Sequence, residues 1–229
     1  MAIALKALGL GRKRPKTFCI GFNKTGTSSL HEVFIAAGMT SFHSDKWPYA
    51  SYIDLGRPFF DRAECYCDGE KSDFVRLQRW FPDALFVLNT RDERKWLVSR
   101  IKHVMRYNEI PSKSEIMRRN DYGMMAKEFY FNPDSAIAKW IIERRIYEDQ
   151  ARTFFADQPG FIELDVTAEK KWVERLNEHL ASAGLPTAPA DRSYHANKRD
   201  HSELADQAAL DEYVAMMDRQ LERFSQQQV

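Results

Sequence analysis

Apolar positions in this chain fall into short continuous runs and longer stretches with helical spacing. Thr17 to Phe22 is a run of strand length. Leu30, Val33, Phe34 and Ala37 then recur at i, i+3, i+4 and i+7, which predicts the buried face of a helix ending at Gly38. Thr40 to His43 reads as a second strand. Residues 44–64 are mixed and aromatic, broken by Pro48, Gly56 and Pro58, and Glu64 to Cys67 reads as a third strand. Ser72 is the expected N-cap of a helix through Trp80, closed by Pro82. Ala84 to Thr90 is almost wholly apolar, as a central parallel strand should be. Asp92 then opens a helix carrying Trp96, Ser99 and His103. Residues 108–133 show no clear period and read as an irregular insertion. A long helix is expected over Ser135 to Phe155, a last strand over Gly160 to Asp165, and helices over Ala168 to Ala183 and Leu204 to Phe224. Strands alternating with helices predict one α/β domain over residues 17–229, with a central parallel sheet flanked by helices.

Composition narrows this reading. At 229 residues the chain can bury a sizeable core. Its 34 basic and 33 acidic side chains nearly cancel, which argues against nucleic acid as a partner. The charge is uneven at the start: Lys6, Arg12, Lys13, Arg14 and Lys16 occur with no acid among them, so residues 1–16 read as a basic solvated tail, or as a contact for a membrane surface or an acidic partner. No apolar run approaches the ~20 residues of a membrane span, and no signal peptide is read at the start. Cys19, Cys65 and Cys67 make no disulfide framework, and a cytoplasmic location is expected. Oligomeric state is not legible.

The candidate chemistry begins where the first strand ends. Asn23, Lys24, Thr25, Gly26, Thr27 and Ser28 form a turn that empties into the first helix. Backbone N–H groups at a helix start, a glycine, a lysine and several hydroxyls make a cradle for a polyanion. In the Gly-x-x-x-x-Gly-Lys-Ser/Thr loop of nucleotide kinases the lysine follows the second glycine, whereas here Lys24 precedes Gly26. A second feature lies at the end of the fourth strand, where Arg91 is followed by Ser99 eight residues on. Lys-Thr-Gly-Thr-Ser after a first strand, with this arginine–serine spacing later, resembles the sulfotransferases that use 3'-phosphoadenosine 5'-phosphosulfate (PAPS). The resemblance runs from about Thr17 to Arg199 and is strong only at these two places.

That resemblance implies a P-loop-like fold and transfer of a sulfuryl group from PAPS to an acceptor hydroxyl or amine, releasing adenosine 3',5'-bisphosphate. It assigns Lys24 to the leaving phosphate oxygen, Asn23 to Ser28 to the 5'-phosphosulfate, and Arg91 and Ser99 to the 3'-phosphate. Lys198 and Arg199 would belong to a late basic loop over the nucleotide. No metal is expected, since the six histidines include no metal-ligand spacing. Relatives place a general base beyond an early strand, so His43 is the first candidate, with Asp45, Asp68 and Glu70 as alternatives. Residues 44–64 and 108–133 would shape the acceptor site, the latter as a lid, but the acceptor itself is not legible. Two rivals remain: an ATP-dependent small-molecule kinase, and a non-catalytic nucleotide-binding protein of the same fold.

Overall fold

Neighbouring side chains of a strand point to opposite faces, and here that alternation separates aromatic from small residues. The computed structural model describes residues 14–105, 123–194 and 207–226, without the side chains of 123–125. Its described residues divide into two compact units, residues up to Asn89 with Asp157–Ala196, and Thr90–Ala156 with Asn197 onward.

The first unit holds a five-stranded parallel sheet in the order β2-β3-β1-β4-β5. The strands are β1 (Thr17–Cys19), β2 (Ser41–His43), β3 (Cys65–Cys67), β4 (Leu85–Thr90) and β5 (Phe161–Asp165). Phe18 pairs in register with Tyr66 and Phe86, and Phe42 with Tyr66. One face of the sheet therefore carries a row of rings, with Phe18 centred 5.5 Å from both Tyr66 and Phe86. Trp47 of the short helix α2 (Trp47–Ser51), Phe60 of a 3₁₀ turn (Arg57–Asp61) and Phe81 after α3 (Phe74–Trp80) close over Phe18. The opposite face presents Cys19, Cys65, Cys67, Leu85 and Val87. It is covered by Leu30, Val33 and Phe34 of α1 (Thr27–Ala36) and by Val173, Leu176 and Leu180 of α7 (Trp172–Ser182).

The second unit is helical: α4 (Glu93–Met105), α5 (Gly123–Phe131), α6 (Pro133–Phe155) and α8 (Gln207–Gln226). Its interior carries charge. Arg100, Arg144 and Glu148 are all buried. The Arg144 guanidinium lies 4.6 Å from the centre of the Trp96 ring, and Arg100 sits over both Trp96 and Trp140 at 5.1 and 5.0 Å. Trp140 stacks in turn on Phe129.

Several expectations shift at their edges. The first strand ends at Cys19 rather than Phe22, although Ile20 still donates its N–H to Val87 O before the chain turns away. Ser72 is not the N-cap of α3. Its N–H is tied back to Gly69 O, and Asp73 caps instead, its carboxylate accepting from Arg76 N at 2.9 Å. The seventh helix starts at Trp172, not Ala168, because Asp165 takes the N–H groups of Thr167 and Ala168 into a turn. Residues 123–131 are helical rather than irregular, anchored by Phe129 on Trp140, while 106–122 lie outside the described residues. Residues 1–13 of the basic segment also lie outside them. Arg14 and Lys16 are engaged, with Glu64 at 3.1 Å and Ala63 O at 2.5 Å. No described helix is long and apolar enough to cross a membrane.

Candidate functional site

Strand order locates the site. The chain leaving β1 goes on to β2 at one edge of the sheet, and the chain leaving β4 returns as β5 at the other. The carboxyl ends of β1 and β4 therefore form the point where connections diverge, which is where open parallel sheets bind ligands. The Asn23–Ser28 turn stands there.

Buried groups fix its shape. Gly21 runs so close to β4 that a Cβ on it would sit 2.0 Å from Asn89 O. Asn89, fully buried in β4, accepts the Gly21 N–H on Oδ1 at 3.1 Å and donates from Nδ2 to Thr25 Oγ1 at 2.5 Å. Thr25 Oγ1 donates onward to Phe22 O at 2.5 Å. Thus the Thr25 hydroxyl, one of the expected ligand groups, is spent inside the turn and holds its curvature. Lys24 takes a left-handed conformation, φ 65°, which a side chain adopts only at a cost. Gly26 follows at φ 92°, and a Cβ there would also lie 2.6 Å from Val166 Cγ1.

Gly26 is the N-cap of α1 and has no side chain to offer, so no cap side chain accepts from the first turn. The helix begins with backbone donors and the positive end of its dipole turned toward the lysine loop. Thr27 and Ser28 are the first two residues of that turn.

Beside this turn, His43 closes β2. Its Nε2 lies 3.1 Å from Thr27 Oγ1, so the candidate base touches the start of α1. His31, one helical turn past Thr27, has its ring centre 5.5 Å from that of His43, and its Nδ1 is 2.8 Å from Ser41 Oγ. His43 is exposed as a whole residue, yet protein flanks its ring. That partial burial, ahead of repulsion from His31, lowers its pKa below the usual 6.5, while Asp45 pulls the other way. His31 is lowered by burial too, opposed by Glu32. Neutral imidazoles are favoured at pH 7. Among the alternatives, Glu70 reaches the loop, its Oε2 accepting from Asn23 N at 3.4 Å. Asp68 is half-buried in a left-handed conformation just after β3, φ 72°, and Asp45 is exposed.

Arg91 and Ser99 belong to the second unit. Arg91 follows β4 directly, is half-buried, and its carbonyl accepts from Arg144 Nη2 at 2.5 Å. Ser99 is half-buried on α4. Lys198 and Arg199 lie outside the described residues.

Sequence reasoning overlooked Asn89, His31 and Ser41. Asn89 had a signal, as the amide that directly follows the apolar run from Phe86 to Leu88. Thr27 and His31 also carried one, since i and i+4 share a helix face. The cradle offers Lys24 and backbone donors to an anion, with the His43 imidazole beside it at the start of α1. The chain matches no protein-family model and no curated protein.

Proposed function

We propose that this chain is a sulfotransferase that moves a sulfuryl group from PAPS to an acceptor hydroxyl or amine. The observation that carries the reading is the Lys24 loop: a lysine held left-handed before Gly26, at the carboxyl end of β1, ahead of a helix whose N-cap residue is a glycine with no side chain to cap it. In the reaction the S–O bond to the 5'-phosphate breaks as a bond forms from sulfur to the acceptor oxygen or nitrogen. Negative charge gathers on the departing phosphate oxygen, where Lys24 and the first N–H groups of α1 stabilise it. The acceptor's proton reaches His43 Nε2 either by displacing Thr27 or by passing through its hydroxyl, which hands its own proton on. Adenosine 3',5'-bisphosphate leaves. The roles of Arg91 and Ser99 at the 3'-phosphate stand on the resemblance alone.

A thermal-shift panel of adenosine 3',5'-bisphosphate, PAPS, ATP with Mg²⁺, and GTP tests this. A ligand bound only by the folded chain at a hundredfold over its Kd adds about 2.7 kcal/mol to apparent stability. Stabilisation by the first two compounds alone supports the reading. Stabilisation by ATP with Mg²⁺ and not by adenosine 3',5'-bisphosphate replaces it with the kinase reading. Binding of PAPS without consumption, tried against a range of alcohols and amines, leaves a nucleotide-binding protein.

A further inference from the structure

The contact between α1 and β2 is unusually polar for a helix laid on a sheet. Thr27 and His31 are one turn apart on the helix; Ser41 and His43 are two apart on the strand and so share a face. They meet crosswise. Thr27 Oγ1 lies 3.1 Å from His43 Nε2, and His31 Nδ1 lies 2.8 Å from Ser41 Oγ. The two imidazoles stand side by side, centres 5.5 Å apart and planes inclined by 30°. His43 thus touches a hydroxyl and stands beside a second imidazole, and that second imidazole is itself anchored to His43's own strand.

We propose that His31 is a positioning residue for His43, holding it neutral and turned toward Thr27 so that it can take the acceptor's proton. The proposal rests on the sulfotransferase reading for its purpose, but not for its physics. Two imidazoles at this distance resist carrying two protons, so a charge on His31 opposes one on His43. The other groups acting on the pair are few. On α1, Glu32 favours protonation of His31; after β2, Asp45 favours protonation of His43. From β3, the Cys67 thiol lies 3.8 Å from Ser41 Oγ. Among the described residues, burial and His31 lower the His43 pKa and Asp45 raises it. Removing His31 therefore moves His43 titration upward toward 6.5, and removing Asp45 moves it further down. The upward shift on loss of His31 is the mark of the imidazole pair, and the Asp45 shift calibrates how strongly a neighbouring charge moves His43.

The test is NMR titration of the imidazole Cε1–H resonances of the full chain, with His43→Gln used to assign His43. In His31→Gln the His43 midpoint should move to higher pH, and in Asp45→Asn to lower pH. Ser41→Ala, which releases the His31 ring, should move it in the same direction as His31→Gln by a smaller amount. It carries the test alone if His31→Gln loses its fold. An unmoved or lowered His43 midpoint in His31→Gln and Ser41→Ala overturns the proposal. Turnover is a separate readout. His31→Gln should lose a larger share of its rate at about pH 6 than at about pH 8, because more of His43 is then protonated. The expected midpoint shifts in a protein that never consumes PAPS would sustain the pairing and reject the sulfotransferase reading; normal PAPS turnover with an unmoved midpoint would do the reverse.

Discussion

At the residue scale, Lys24 combines strain with chemistry. A left-handed backbone costs a side-chain-bearing residue roughly 1–2 kcal/mol, whereas glycine adopts it freely but loses roughly 0.5–1 kcal/mol through its larger unfolded-state entropy. Lys24→Gly should therefore leave thermal stability unchanged or slightly raised, while, if the sulfotransferase proposal holds, turnover falls ~10²–10³-fold with the loss of a charged donor. A melting curve beside an assay of PAPS consumption checks this. A clear drop in Tm, or retained turnover, would mean that the lysine is there for the fold. Asn89 makes the opposite case. Its amide serves Gly21 N and Thr25 Oγ1 together, in a place closed to water. Asn89→Leu strands the Gly21 N–H and takes a donor from Thr25 Oγ1, whose own hydroxyl keeps Phe22 O, and should destabilise by about 1–3 kcal/mol in urea denaturation, the cost of one buried unpaired group. Asn89→Asp keeps an acceptor for Gly21 N and should lose less.

At the element scale, the lesson lies in what each element packs against. The face of α1 was legible because Leu30, Val33 and Phe34 repeat at helical spacing, and all three are buried against the sheet. The end of β1 was not, because Ile20 and Phe22 are as apolar as Phe18 and only the approach of Gly21 to Asn89 turns the chain. The Lys24 turn and His43 could be read as candidates from their residue types and order. The crosswise set of Thr27, His31, Ser41 and His43 could not, since it depends on where α1 settles over β2. The long helix α6 shows the same limit. Arg144 and Glu148 look like an ordinary exposed i, i+4 pair in the sequence, yet both are buried, bonded at 2.7 Å, with Arg144 also over Trp96 and bonded to Arg91 O. Breaking a buried pair leaves an uncompensated charge. Glu148→Ala should thus cost about 3–5 kcal/mol, and Arg144→Met/Glu148→Leu much less than Glu148→Ala alone, as measured by chemical denaturation. Equal losses in the two variants would show that the charges themselves do not decide stability there.

At the scale of the whole molecule, the sheet order and the reversed lysine placement bear on how charge is met during transfer. A kinase moves a phosphoryl group flanked by other phosphates and relies on metal ions to neutralise them. A sulfuryl group carries less charge, and the charge that develops falls mainly on a single phosphate oxygen. On the proposed reading, one ammonium and the first turn of α1 meet it without a metal ion. Turnover of PAPS should therefore persist after exhaustive treatment with EDTA, and added Mg²⁺ should change the rate less than twofold. The measurement is release of adenosine 3',5'-bisphosphate from the full chain, with and without chelator, in the presence of an acceptor found by screening. Because Mg²⁺ also binds free nucleotides, the control is the affinity for adenosine 3',5'-bisphosphate by calorimetry under both conditions. A rate that vanishes with EDTA and returns with Mg²⁺, while that affinity stays constant, would place metal in the chemical step. It would return the chain to the phosphoryl-transfer reading, in which Lys24 neutralises phosphate beside an ion instead of standing in for one.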